Sequence, residues 1–356
     1  MKSPSPLPIV LVGCGAVSQQ LYAPALLHLE KSGVARVVAL VDPAESSRAR
    51  LARRFPTARA VPNLESVTFL ERGALAIVAS PAVCHRDHVL AAARQGWHIL
   101  CEKPLATTSA ECAAMIKAAE DADVRLAVCH YRRFFSAARA LKELCSGRTP
   151  LGPLMRFNVS EGGRFDWPAV STAIFRREET PGGVLLDLGV DVLDLLVWWL
   201  GAPLDQVYAD DAMGGLEINA RLTLRFGAAT GTVQLSRDWA TVNRYTFEFA
   251  RGRAVWTVNE ANGLTVEMQG LPFTLRSHIL ETSGQDTDDH PQSFLSHLRQ
   301  VVLAARDGSA LPVDARAGAR ILLLIENCYA RRKLIAQPWL TPEEEQSARR
   351  LALAKP

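Results

Sequence analysis

No stretch of this chain is long and apolar enough to span a bilayer without a charge inside it. The longest apolar run, around Leu185 to Leu200, is interrupted by Asp187, Asp191 and Asp194. Nor is there an excess of one sign. Lys and Arg number 40 against 37 Asp and Glu, and a net charge of +3 is too small to imply nucleic acid or an anionic membrane as partner. The seven cysteines include no Cys-x-x-Cys pair, and most lie in apolar runs such as Leu100-Cys101 and Val128-Cys129. They read as reduced core thiols in a cytoplasmic protein rather than a disulfide framework. Met1-Lys2-Ser3-Pro4-Ser5-Pro6 carries no apolar core of a leader, so export is not expected. Internal repeats and long linkers are also missing. What remains is an ordinary globular composition, 48% apolar and 22% charged, in 356 residues, which is enough for two domains.

One stretch stands out. Gly182-Gly183 opens a segment to Gly201 that is apolar nearly all round, the pattern of a helix buried on most sides. Asp187, Asp191 and Asp194 nevertheless fall at i, i+4 and i+7, on one stripe of it. A buried carboxylate without a partner costs several kcal/mol, roughly, so the stripe is expected to face a polar cleft rather than bulk water.

The chain begins with the apolar run Pro8 to Val12, followed by Gly13-Cys14-Gly15-Ala16-Val17-Ser18 and a helical pattern. A strand, a G-x-G-x-x-G-like loop and a helix form a dinucleotide cradle. Its first glycine permits the turn, its second lets backbone N–H groups approach a pyrophosphate, and Ser18 replaces the third. A second apolar strand, Val37 to Val41, ends in Asp42, placed to hydrogen-bond a ribose 2′-hydroxyl. Gly13, Gly15, Ala16, Val17 and Asp42 are therefore candidate cofactor residues, with NAD expected and NADP less favoured.

Strands and helices continue to alternate. Ala74 to Ala79 leads to Ser80-Pro81, Trp97 to Cys101 to Glu102-Lys103-Pro104, and Arg125 to Cys129 to His130-Tyr131-Arg132-Arg133. Thr108-Ser109-Ala110-Glu111 reads as a capping box opening a helix to about Ala122. Such alternation predicts a doubly wound parallel sheet with ligands beyond the carboxyl ends of its strands. His85 and His88 lack a nearby third ligand and read as helix surface, so no metal is expected.

From Glu102-Lys103-Pro104 onward a family pattern is visible. The glycine loop, Cys101-Glu102-Lys103-Pro104-Leu105, Arg133-Phe134 and Gly182-Gly183 through Asp194, in this order, resemble the Gfo/Idh/MocA oxidoreductases. The resemblance covers nearly the whole chain. It implies a Rossmann domain, a nicotinamide cofactor, and hydride transfer at a carbinol carbon of a sugar, sugar derivative or cyclitol. It carries a catalytic lysine over to Lys103 and an aspartate to Asp187. It departs at Asp191, where the family has histidine; Lys103, Asp187 and Asp191 are the candidate catalytic residues. Cofactor contacts are expected from Ser80, Pro81, His85, Glu102, Lys103, Pro104 and Arg133, and substrate contacts from Tyr131, Arg164, Asp166, Trp167, Asp187 and Asp191. Two other readings stay open: an enzyme using NAD without net redox change, of glycosidase or epimerase type, and a catalytically silent dinucleotide-binding sensor.

The fold class expected is α/β plus α+β. A dinucleotide domain over 1–129 precedes a domain over 130–356 of mainly antiparallel sheet, covered on one face by helices. Ile218, Ala220, Leu222, Leu224 and Phe226 alternate with polar residues, as a half-buried antiparallel strand should. Further strands are expected at Leu154 to Ser160, Thr230 to Ser236, Tyr245 to Ala250, Ala254 to Val258, Leu264 to Met268 and Phe273 to Arg276. Two helices, His290 to Arg306 and Asp314 to Lys333, close the chain. Gln285 to Asp289 reads as a solvated acidic loop. The open sheet face suits a homo-oligomer, dimer or tetramer, and the active site is expected in a cleft between the domains.

Overall fold

Leu7–Val12 (β1) is the central strand of a six-stranded, wholly parallel sheet in the computed structural model of the chain. Described residues are 5–163, 180–212, 215–238, 242–258, 263–270, 275–277, 290–335 and five positions between 342 and 350. They group into two compact units. One holds the described residues up to Tyr131 together with Pro291–Leu323, and the other holds those from Arg132 to His290 and from Leu324 onward.

In the first unit β1 is joined by β2 (Ala35–Val41), β3 (Arg59–Val61), β4 (Leu75–Val78), β5 (His98–Cys101) and β6 (Leu126–Val128), in the order β3-β2-β1-β4-β5-β6. The order reverses between β1 and β4, so the loops after these two strands flank a topological switch point, where open α/β sheets bind ligands. The apolar strands predict this arrangement because both faces of a parallel sheet are covered. Ile9, Leu11, Val37, Leu40, Ile77 and Leu100 are fully or almost fully buried, each contributing about 1.5–3 kcal/mol.

The crossovers carry α1 (Ala23–Lys31), α2 (Glu45–Ala52), α3 (Ala82–Arg94) and α4 (Ser109–Asp121). Thr108 and Glu111 form the expected capping box at the start of α4. Late in the chain, α7 (His290–Asp307) adds Phe294, Leu298, Val301 and Val302 to this same core, with Phe294 edge-on to Tyr22. That return explains why Pro291–Leu323 counts with the first unit although it is distant in sequence.

The second unit is built on a nine-stranded sheet of β7 (Leu154–Gly162), β8 (Asp205–Asp210), β9 (Asn219–Phe226), β10 (Ala229–Ser236), β11 (Arg244–Phe249), β12 (Gly252–Thr257), β13 (Leu264–Met268), β14 (Leu275–Ser277) and β15 (Lys333–Leu334). Their order is β14-β13-β12-β11-β7-β10-β9-β8-β15. Every pairing is antiparallel except β7 with β10 and β8 with β15. The alternating burial of β9 matches its sequence pattern, one face in and one out. β8, with Tyr208 and Asp210 as its buried polar positions, gave no clean apolar alternation to read.

Helices α5 (Ser136–Leu144) and α6 (Val190–Leu200) belong to this unit. On the inner face Trp199 of α6 meets Tyr245, Phe247 and Trp256 edge-on. Its indole N–H donates to the Ala138 carbonyl of α5 at 2.8 Å. The closing helix α8 (Ala315–Ala330) begins after Asp314, whose carboxylate accepts from Ala317 N as an N-cap. Among the described residues no helix is long and apolar enough to cross a membrane.

Candidate active site

The acidic segment does not run as one regular helix. Leu185–Gly189 forms a wide, π-helical turn that continues into α6, so Asp187 sits in that turn and Asp191 and Asp194 lie on the helix proper. Such turns are uncommon and recur at functional sites. Gly183 lies so close to the backbone of Glu217 that a Cβ would collide with it, and a Cβ on Gly182 would meet the Tyr329 hydroxyl. The Gly-Gly pair is thus required by close approach. The helix start is held by Glu217, whose Oε1 accepts from Gly183 N at 3.0 Å, Leu185 N at 3.1 Å and Tyr329 OH at 2.7 Å. Burial raises the Glu217 carboxyl above its ordinary value despite these bonds.

Each of the three aspartates has an arginine beside it. Asp187 pairs with Arg237 and its side chain remains 47% exposed. Asp191 Oδ2 is 3.6 Å from Arg132 Nε. Asp194 is bound in bidentate fashion by Arg133, Nη2 to Oδ1 at 2.6 Å and Nε to Oδ2 at 2.8 Å. Arg132 also places Nη1 2.9 Å from both oxygens of buried Glu161, and Tyr245 OH donates to Glu161 Oε1 at 2.5 Å. The sequence shows Arg132-Arg133 and the acidic stripe, but nothing in it pairs them one to one. Arg237, Glu161, Tyr245 and Glu217 were not foreseen; the need of buried carboxylates for cations and donors was the available signal. Arg164, Asp166 and Trp167, and the acidic loop at Gln285 to Asp289, lie outside the described residues.

The glycine loop of the first unit follows β1. Gly13 has φ +92°, and a Cβ there would come within 2.5 Å of the Ala79 carbonyl, so the loop is pressed against the end of β4. A Cβ on Gly15 would meet nothing, which leaves its peptide open to an approaching ligand. Ser18, the departure at the third loop position, is fully buried and donates its hydroxyl to Gly13 O at 2.5 Å. It begins a second π-helical turn, Ser18–Tyr22. Asp42 at the end of β2 accepts from Cys14 N at 2.7 Å and Ala44 N at 2.8 Å. Burial and this carboxylate push the Cys14 thiol up to about 12, so it is no thiolate. The glycine turn, an open peptide and a carboxylate at the second strand fit the adenosine diphosphate half of a dinucleotide.

Beyond the switch point, the loops after β4 and β5 are tied into the unit by side chains. Glu102 accepts from Tyr22 OH at 2.7 Å and from Lys103 N at 3.1 Å. Burial raises its carboxyl above the ordinary value, against the lowering effect of Tyr22, Cys129 and Lys103. The Lys103-Pro104 peptide is cis. His85 is buried, not on the helix surface: Nε2 lies 2.8 Å from Ser80 O and Nδ1 3.0 Å from Pro104 O. His88 Nδ1 is 2.9 Å from the Ser80 hydroxyl. Both histidines turn inward because they anchor loops, a role that spacing alone does not reveal. Tyr131 lies edge-on to Phe294. Among the described residues, no three His, Cys, Asp or Glu side chains converge as metal ligands would.

Comparison with known proteins agrees with this geometry. Residues 7–130 match the family model described as the oxidoreductase family with NAD-binding Rossmann fold, and residues 139–255 match the GFO/IDH/MocA C-terminal domain. A scyllo-inositol 2-dehydrogenase (NADP(+)) of Bacillus subtilis is 26% identical over 89% of this chain and 91% of its own. A D-xylose 1-dehydrogenase (NADP(+)) of Haloferax volcanii is 28% identical over 70% of this chain and 75% of its own. Among solved structures, a levoglucosan dehydrogenase in complex with NADH and levoglucosan superposes with a TM-score of 0.77 at 17% identity, covering 92% of this chain and 97% of that one. An aldose-aldose oxidoreductase from Caulobacter crescentus gives 0.76 at 21% identity, over 92% and 97%.

Proposed function

Since the chain belongs to the Gfo/Idh/MocA oxidoreductase family, we propose that it is an NAD(P)-dependent oxidoreductase of CH–OH groups, with a sugar, sugar derivative or cyclitol as substrate and Lys103 as proton carrier. The observation that carries this reading is the placement of Lys103. It follows β5 at the carboxyl edge of the sheet, one strand from the switch point, with its peptide N–H held by Glu102.

The glycine loop would take the pyrophosphate on the open peptides of Gly15, Ala16 and Val17, and Asp42 the adenosine ribose. Ser80, Pro81, Glu102 and Pro104 would shape the wall against the other half of the cofactor. When bound, the nicotinamide accepts or returns the hydride. Lys103 Nζ takes the carbinol proton while the C–H pair leaves as hydride and C–O becomes C=O; the reverse reaction returns that proton. Asp187 and Asp191 serve to bind and orient substrate hydroxyls, Asp187 with half of its side chain exposed. Substrate contacts from Tyr131, Arg164, Asp166 and Trp167, and a cofactor contact from Arg133, are part of the same reading.

NAD is the preferred cofactor on this account, because the Asp42 carboxylate repels a 2′-phosphate. A cytoplasmic setting suits seven cysteines that are all free thiols. A dimer or tetramer through the outward face of the nine-stranded sheet completes the proposal. The test is to mix the protein with NAD or NADP and scyllo-inositol, D-xylose, levoglucosan and a wider set of polyols, following absorbance of the reduced cofactor. Stoichiometric reduction by at least one polyol is expected. Conversion of a sugar without net cofactor reduction would replace the dehydrogenase reading by a non-redox one.

A further inference from the structure

Arg237 is the first residue after β10, and the sheet holds it from both sides. Its N–H donates to the Ile218 carbonyl at 3.0 Å, next to β9, and the preceding Ser236 carbonyl accepts from Gly163 N at 3.2 Å, next to β7. The residue after it is tied as well: Asp238 accepts from the Ser236 hydroxyl at 2.9 Å and from Asn219 Nδ2 at 3.1 Å. The turn that carries Asp187 is held from the adjacent residue, because Glu217 accepts from the N–H groups of Gly183, Val184 and Leu185. Glu217 and Ile218 thus place both ends of the Arg237–Asp187 pair. With side chains 24% and 47% exposed, the pair is too open to water to weigh much in stability. Other exposed pairs are local to regular elements: Lys117 and Asp121 lie one turn apart on α4, and Arg253 faces Glu267 across β12 and β13. Arg237 and Asp187 lie 50 residues apart and meet because the backbone on each side is fixed.

We infer that Arg237 is a positioning residue whose guanidinium fixes the orientation of the Asp187 carboxylate, so that a substrate hydroxyl meets an acceptor already set in place. This inference rests on the proposed binding of substrate hydroxyls by Asp187. A half-exposed carboxylate that nothing holds rotates about its side-chain bonds, and binding then costs the ordering of that motion. A guanidinium N–H on Oδ2 removes the freedom beforehand. A carboxylate has about four lone-pair sites, so the contact with Arg237 is compatible with accepting a hydroxyl. Loss of the guanidinium therefore weakens substrate binding. It spares the dinucleotide, whose glycine loop and Asp42 belong to the other unit.

Arg237→Met, Asp187→Ala and the double variant test this on the polyol turned over fastest in the screen. Arg237→Met is expected to raise the KM for polyol about three- to tenfold, roughly the weight of one hydrogen bond, with kcat, NADH affinity and melting temperature as in wild type. Arg237→Lys should recover part of the loss, since an ammonium supplies the charge but not the planar fork. Hydrogen–deuterium exchange over residues 183–189 should be the same in Arg237→Met as in wild type, because Glu217 holds that backbone. Added to Asp187→Ala, Arg237→Met should raise KM no further. An unchanged KM in Arg237→Met, a further rise in the double variant, or faster exchange over 183–189 would overturn the inference. If Asp187→Ala raises KM and Arg237→Met does not, the inference fails and Asp187 keeps its proposed role. If Asp187→Ala leaves KM unchanged, that role fails and the inference falls with it.

Discussion

Asp191 Oδ2 lies 3.6 Å from Arg132 Nε, and the same guanidinium places Nη1 2.9 Å from both oxygens of Glu161. The position at which the family pattern has histidine is thus occupied by a carboxylate beside a shared cation. A neutral imidazole can pass a proton near pH 7, whereas a carboxylate with a guanidinium beside it is suited to hold charge and accept hydroxyl donors. Asp191→Asn is therefore expected to raise the KM for substrate several-fold while keeping a measurable kcat. Steady-state kinetics on the polyol returned by the screen checks this. Collapse of kcat with unchanged KM would assign the proton relay to Asp191.

Arg133 and Asp194 make the second such pair, with side chains 13% and 2% exposed. Removing one member of a buried bidentate pair typically costs about 3–5 kcal/mol. Arg133→Ala should lower the unfolding free energy by about that much in urea titrations. Arg133→Lys should recover only part of it, because an ammonium cannot make the planar two-pronged contact. Unchanged stability of Arg133→Ala would contradict the structural weight given to this pair.

Glu217 supplies a pH dependence. Burial raises its carboxyl above the ordinary 4.5, so the folded state favours the protonated form. A raised value means that this group's contribution is fully present below its unfolded value and is lost as pH rises through the folded one. Glu217→Gln retains an acceptor for Gly183 N, Leu185 N and Tyr329 OH but cannot ionise. The melting temperature of the variant, relative to wild type, should therefore climb as pH is raised from about 4 to 8. A difference that is flat or falls over that range would contradict the assignment. Glu217→Ala strips all three donors of their acceptor and should cost about 2–4 kcal/mol near pH 4, less as pH rises.

Much of the first unit was legible in the sequence because its strands are continuous apolar runs and its loops carry glycine, serine-proline and capping chemistry at fixed offsets. The parallel sheet and the Thr108 to Glu111 capping box follow from those signals, whereas the short, largely exposed β3 and the strand order do not. The antiparallel strands of the second unit followed from alternation, as β9 illustrates. The parallel pairing of β7 with β10 did not, since register and neighbour choice leave no local mark. The acidic stripe was legible as three carboxylates needing partners. Which arginine answers which aspartate depends on chain segments brought together by folding, and the π-helical turn that carries Asp187 has no compositional signature. His85 was read as helix surface because a buried histidine facing two backbone carbonyls looks, in sequence, like any other.

Cofactor choice tests the reading of Asp42. Its carboxylate accepts from Cys14 N and Ala44 N, so it is fixed beside the glycine loop. NADH should bind more tightly than NADPH in fluorescence titrations. Asp42→Asn should narrow that preference by relieving repulsion of the 2′-phosphate. NADPH binding as tightly as NADH to the wild type would reject this preference.

The central claim is that Lys103 carries the proton, and it is tested by Lys103→Met with NADH affinity and turnover measured on the same preparation. General acid–base groups are typically worth about 10²–10⁴-fold. The account expects turnover to fall by at least about a hundredfold while NADH binds as it does to wild type, because the glycine loop and Asp42 remain intact. A variant that binds NADH normally and keeps more than about a tenth of wild-type turnover would contradict it.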